Sequence, residues 1–204
     1  MNGRSTMYLA CSALGVLALA SAPAPHAADN AATQVATTQH HGGNNQRRKN
    51  ELVKIVRQAT WKYRDVEVAE GDGYGLLFGC VSGEDYGAMG LHYVNLGLYM
   101  KSATEFDDKI DAWQPEIVIY EPTPSGRPKL IGADYIVDAA TWNATHAQAP
   151  ELNGQMFHYF AAPNRFGLPA FYTLHVWAWK DNPTGTFVNW HENVSCDAHD
   201  GPSK

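Results

Sequence analysis

From Gly75 onward the chain is a succession of short runs rich in Val, Ile, Tyr, Phe and Trp, each closed by Gly, Pro, Asn or Asp, and no helical pattern falls between them. The runs cover 75–81, 89–95, 116–121, 129–138, 155–160 and 170–180, with a shorter one at 186–190. Parallel strands need long crossover connections, usually helices, so this order of elements selects antiparallel pairing. Residues 121–128, with three prolines and a glycine, read as a hairpin loop, and 181–185 as a turn whose Gly185 suits a positive φ. Upstream, Leu52, Ile55, Val56, Ala59 and Tyr63 recur at three- and four-residue spacing, predicting one amphipathic helix from an N-cap at Asn50 to about Arg64. The expected fold is α+β: one N-terminal helix packed on a predominantly antiparallel, curved sheet or partly closed barrel.

The rest of the chain fits one domain. Arg4, the apolar stretch 8–20 and Ala-Pro-His-Ala-Ala at 24–28 predict a signal peptide over 1–28. The apolar stretch is shorter than the roughly 20 residues of a membrane span. Cys11 lies within that stretch and is expected to leave with it. Residues 29–48 carry almost no large apolar side chain and predict a flexible arm. Residues 49–198 form the expected globular domain and 199–204 a tail.

Removing Arg4 leaves 14 basic side chains against 21 acidic ones. That balance excludes nonspecific binding to nucleic acid or anionic lipid, and no later segment is apolar enough to span a bilayer. Cys80 and Cys196 then remain as an even count in an exported chain, which predicts one disulfide, with two free thiols or a thiol metal site as the competing reading. The signatures of serine hydrolases, nucleotide-binding loops, dinucleotide folds and helical zinc proteases are missing.

Histidine carries the remaining chemical signal. His92, His158 and His175 fall inside aromatic strand-like runs, whereas His40, His41, His146 and His199 lie in polar or terminal segments and His191 opens the last loop. Alternation puts His175 on one face with Trp177 and Trp179, His158 with Met156 and Phe160, and Glu121 with Ile117 and Ile119. An imidazole buried in such a face needs a partner, which a metal ion or a carboxylate supplies. His92, His175 and Glu121 are therefore the expected metal ligands, for a transition metal such as zinc or copper. With His158 and Trp177 they form the expected ligand pocket. Hydrogen-bonded core histidines are the alternative for each of the three. Trp177, Trp179 and Trp190, with Tyr93 and Phe171, are either core or an aromatic pocket wall. The glycine-rich loop 80–90 offers Glu84 and Asp85 as a lid or cation site, or is a solvated turn.

The strings Gly-Ala-Met-Gly-Leu-His-Tyr-Val-Asn (87–95), Ile-Tyr-Glu-Pro (119–122), Leu-His-Val-Trp-Ala-Trp-Lys-Asp-Asn-Pro-Thr-Gly-Thr-Phe (174–187) and Val-Ser-Cys (194–196) resemble a family of exported bacterial proteins. The resemblance covers about residues 50–196, implies a Gram-negative periplasmic setting, and carries no reaction with it. Asn-Trp-His-Glu-Asn at 189–193 departs from the Trp-Asn-Pro expected there, so it implies no role for His191. Three functions follow as expectations: a metal- or small-ligand-binding domain, a periplasmic enzyme using a His–carboxylate pair or metal-bound water, or an envelope interaction module.

Overall fold

The computed structural model describes residues 28–202 and Lys204, with side chains from residue 43 onward except Glu84. The expected signal peptide, apart from Ala28, lies outside the described residues, as does Cys11. The chain divides into two compact units, 1–39 and 40–204. The described residues 28–39 of the first unit are helical, and the strands and the site lie in the second.

Helix α1 spans Ala28–Thr60 and is followed by a 3-10 turn, Trp61–Arg64, and a short helix α2, Val66–Gly71. Its start lies well before the expected cap at Asn50, and the expected arm 29–48 is the first part of this helix. No proline interrupts 28–60, and Ala, Gln and Arg propagate a helix without needing an apolar face. Arg48, the last residue of that segment, pairs with Glu151 at 2.8 Å. The apolar stripe begins only at Leu52, which with Val56 is fully buried against Ala133, Tyr135, Leu174 and Val176.

The strands follow in chain order: β1 (Tyr74–Ser82), β2 (Ala88–Asn95), β3 (Met100–Ser102), β4 (Glu105–Phe106), β5 (Ile117–Glu121), β6 (Lys129–Asp138), β7 (Glu151–Leu152), β8 (Gln155–Met156), β9 (His158–Phe160) and β10 (Phe171–Val176). Short helices α3 (Leu96–Tyr99) and α4 (Ala139–Thr145) lie after β2 and β6. Six strands form one antiparallel sheet in the order β1-β2-β5-β6-β10-β9, and β3-β4 and β7-β8 are separate two-stranded hairpins. The sheet is open: its edge strands β1 and β9 do not pair, so it is not closed into a barrel.

Four of the expected runs match strands closely, but 155–160 divides at Phe157 and 186–190 is not a strand. The run 170–180 ends at Val176, where Ala178 N donates to Val176 O at 2.8 Å and the pleat is broken. Trp179 consequently lies on the opposite face from Trp177, donating to Thr60 Oγ1 at 2.9 Å.

One sheet face is covered by α1 and by tyrosines whose hydroxyls end on backbone oxygens: Tyr74 on Pro115, Tyr120 on Tyr63 and Tyr135 on Ala112. The other face is covered by irregular chain after β9 and β10. Trp177 Nε1 donates to Val188 O and Asn182 Nδ2 to Trp190 O, holding that chain down. The Cys80–Cys196 disulfide ties its far end to β1. The expected tail docks there too, with Cys80 N donating to Pro202 O and Lys204 N to Cys80 O.

The disulfide spans 116 residues, a separation worth roughly 4–5 kcal/mol in the chain-entropy picture. Replacing Cys80 and Cys196 together with Ser is expected to cost stability of that order in urea unfolding. Unfolding unchanged within about 1 kcal/mol would show that the covering loops hold without the bond.

Candidate metal centre

Three buried polar side chains meet on the loop-covered face. Asp134 on β6 lies directly across from His175 on β10 and from Ile117 on β5, and His92 on β2 lies across from Ile119 on β5. Direct cross-strand partners project to the same face. The histidines lean toward each other over the two intervening strands until their Nε2 atoms stand 3.4 Å apart. The imidazole planes are inclined by 69°. The exposures of His92, Asp134 and His175 are 4%, 3% and 2%. One potential ligand atom from each lies within 4.8 Å of the others.

A backbone irregularity aims His92. Val81 pairs with Gly90 but Ser82 with Ala88, so Met89 is an extra residue on β2. Gly90 adopts φ +86°, and a Cβ there would sit 2.5 Å from Tyr120 O. The bulge puts the Gly90 carbonyl 3.1 Å from His92 Nδ1 and brings Met89 into the cavity that holds both histidines. His92 Nδ1 therefore carries the proton it donates to Gly90, and Nε2 presents a lone pair. On the other side, His175 Nδ1 stands 3.4 Å from Asp134 Oδ1 without a hydrogen-bond partner, while that oxygen accepts the Thr173 hydroxyl.

Burial decides the charges. Desolvation first, then the neighbouring His175, holds His92 down to about 4, and desolvation holds His175 down to about 3. Burial pushes Asp134 up to about 6 against the pull of His92 and the hydrogen bond from Thr173. Burial thus keeps both imidazoles neutral at neutral pH, beside an Asp134 carboxyl that it makes harder to ionise.

No protein-family model, curated protein or solved structure matches this chain.

The remaining expected site residues lie elsewhere. Glu121 sits past a bulge between Ile119 and Tyr120, pairs across strands with Lys129, and forms an ion pair with Lys180. The lysine takes the carboxylate that a metal was expected to hold. His158 is exposed on edge strand β9, its Nε2 3.2 Å from Phe187 O. Trp177 is buried and packs beside His175 with ring centroids 5.6 Å apart, a wall behind the imidazole rather than a lining of the cavity. His191 is fully buried, accepts from Asn193 N through Nδ1 and meets Trp177 edge-on. Residues 84–86 form a 3-10 turn with Asp85 exposed. The Glu84 side chain lies outside the described residues.

Asp134, Thr173 and Met89 are the residues that sequence reasoning missed. The available signal was Asp134 itself, a carboxylate inside a strand whose neighbours on the same face are Gly132 and Ile136.

A second buried carboxylate borders the site. Glu116 accepts from Ile136 N at 3.2 Å, and burial pushes it up to about 8. Between its ordinary value and 8 the folded chain keeps a proton that the unfolded chain releases. This contribution is therefore full at low pH and lost as pH rises through 8. Glu116→Gln keeps the acceptor and removes the loss, so it should gain on the order of 1–3 kcal/mol over the parent at pH 9 and little at pH 5. Urea unfolding at both pH values checks this; an equal effect at both would refute the assignment. Gly90→Ala should destabilise by on the order of 1–3 kcal/mol, because it adds a Cβ where both φ and the Tyr120 carbonyl forbid one. A melting temperature equal to the parent's would rule the strain out.

Proposed function

We propose that this chain is an exported metal-binding domain whose centre is His92 and His175, with Asp134 orienting or completing it. The observation that carries the reading is the 3.4 Å between the opposed Nε2 atoms. Two imidazole nitrogens about 2.0–2.1 Å from a tetrahedral zinc stand roughly 3.3–3.4 Å apart. The proton on His92 Nδ1 leaves its Nε2 lone pair aimed at His175. If His175 likewise directs its Nδ1 proton toward Asp134, two lone pairs oppose each other, which a shared cation relieves. If it holds the proton on Nε2 instead, its Nδ1 lone pair opposes the carboxylate. Asp134 beside His175 Nδ1 is also the arrangement by which a carboxylate fixes a ligating imidazole.

Imidazole donors suit zinc or copper, and the buried Met89 in the same cavity adds a thioether that favours copper. Coordination positions left open by the protein would face the cavity. The disulfide supports an oxidising compartment outside the cytosol.

The test is metal titration of untagged protein, with Zn²⁺ and Cu²⁺ in turn, followed by calorimetry and by metal analysis after dialysis. One equivalent per chain is expected. His92→Ala and His175→Ala should each weaken it by at least about 100-fold, and Asp134→Asn by about 10–100-fold. Near-parent circular dichroism in the variants would separate ligand loss from unfolding. Equal metal affinity in both histidine variants would refute the centre.

A further inference from the structure

The cavity that holds the histidines does not end at them. Its outer wall is phenylalanine: Phe166 packs 5.4 Å from Phe78 and 6.0 Å from Phe171, and Phe160 stacks on Phe171 at 5.1 Å. Asn164 fixes this lid, its side chain accepting from Phe166 N and Leu168 N and donating to Leu168 O. Beyond the lid lies a second chamber of about 160 Å³ that shares Phe78, Ile117, Ile136 and Leu168 with the histidine cavity. The chamber presents no polar surface. Leu77 and Leu96 line it while remaining 47% and 49% exposed, an apolar mouth on the molecular surface.

We infer that this chamber and the histidine pair form one binding site for a small molecule with an uncharged, largely apolar body and a single metal-coordinating donor atom. The inference rests on the metal reading for the donor end and on the chamber alone for the apolar end. Size sets the body of the ligand, since a dry apolar cavity of about 150 Å³ accommodates a benzene ring. Charge sets its class. The titratable residues among those lining the two cavities are His92, Asp134 and His175 in the first and Tyr99 in the second, and neither is lined by Lys or Arg. An anionic group lodged in the chamber itself, away from the metal, would be stripped of water among Phe, Leu and Ile with no cationic side chain to offset the cost. A ligand with many hydroxyl groups would leave them unpaired against Phe and Ile.

Phenol is the probe: its ring matches the chamber, it is neutral at pH 7, and it has one donor oxygen. The full-length chain, zinc-loaded and metal-free, is titrated with phenol, benzoate and glucose while ¹H–¹⁵N shifts are followed. Phenol should shift amides of Phe78, Ile117 and Leu168 in both forms, about 10-fold more tightly with zinc, while glucose leaves them unmoved in both and benzoate leaves them unmoved in the metal-free form. Leu168→Trp fills the shared wall and should weaken phenol at least 10-fold while zinc still binds one per chain; Leu168→Phe serves if the larger ring prevents folding. Zinc binding with no phenol shift overturns the ligand class and leaves the metal reading intact. Phenol binding with no zinc uptake overturns the coordinating end alone. Equal binding of benzoate and phenol to the metal-free form overturns the charge argument, and phenol binding indifferent to both Leu168 variants overturns the location.

Discussion

Both faces of the six-stranded sheet are buried, yet only one helix of any length packs against it, and most of the molecule follows from that imbalance. Helix α1 and the 3-10 turn after it cover the face of Tyr74, Tyr120 and Tyr135. The opposite face is covered by α3 and the β3–β4 hairpin at one end and otherwise by chain without regular structure. Such chain cannot satisfy its own backbone, so it is held by side chains and by the disulfide: Trp177 to Val188, Asn182 to Trp190, Lys180 to Asn193, and Cys196 to Cys80.

An irregular cover also interdigitates less completely than a helix with an apolar stripe. The histidine cavity and the apolar chamber both lie on this face, between the sheet and the loops carrying Phe166 and Leu168. Polar residues occupy it because the sheet supplies them at fixed positions. His175, Asp134 and His92 hang from paired strands whose register is locked on the helix side by a continuous apolar layer. A rigid sheet can thus hold two neutral imidazoles 3.4 Å apart in a dry site, where long flexible side chains would turn away to water.

The Gly90 bulge shows how little backbone change is needed to build the site. One extra residue on β2 turns a carbonyl onto His92 Nδ1, fixes the tautomer, and brings Met89 round to the cavity side. The same kind of irregularity between Ile119 and Tyr120 has the opposite result at Glu121, which ends beside Lys180.

The sequence by itself determined whatever depends on near neighbours in the chain. Alternation and β-branched content located β1, β2, β5, β6 and β10. The lack of intervening helices required antiparallel pairing, and the cysteine count paired Cys80 with Cys196. The same alternation put His175 on an aromatic face with Trp177, because a side chain's face depends only on its own strand. Tertiary structure alone decided which inward-facing groups meet. His92 and His175 are 83 residues apart, and their approach depends on strand order, which local pattern does not encode. Asp134 was hidden because its strand is apolar almost throughout, and Glu121 stood out because a bulge and a distant lysine leave no trace in its own neighbourhood. Helix α1 extended past Asn50 for a related reason: local bonds propagate a helix without an apolar stripe, whereas the stripe only reports where it packs. Faces are set by local geometry, and convergence by the long-range register of the sheet.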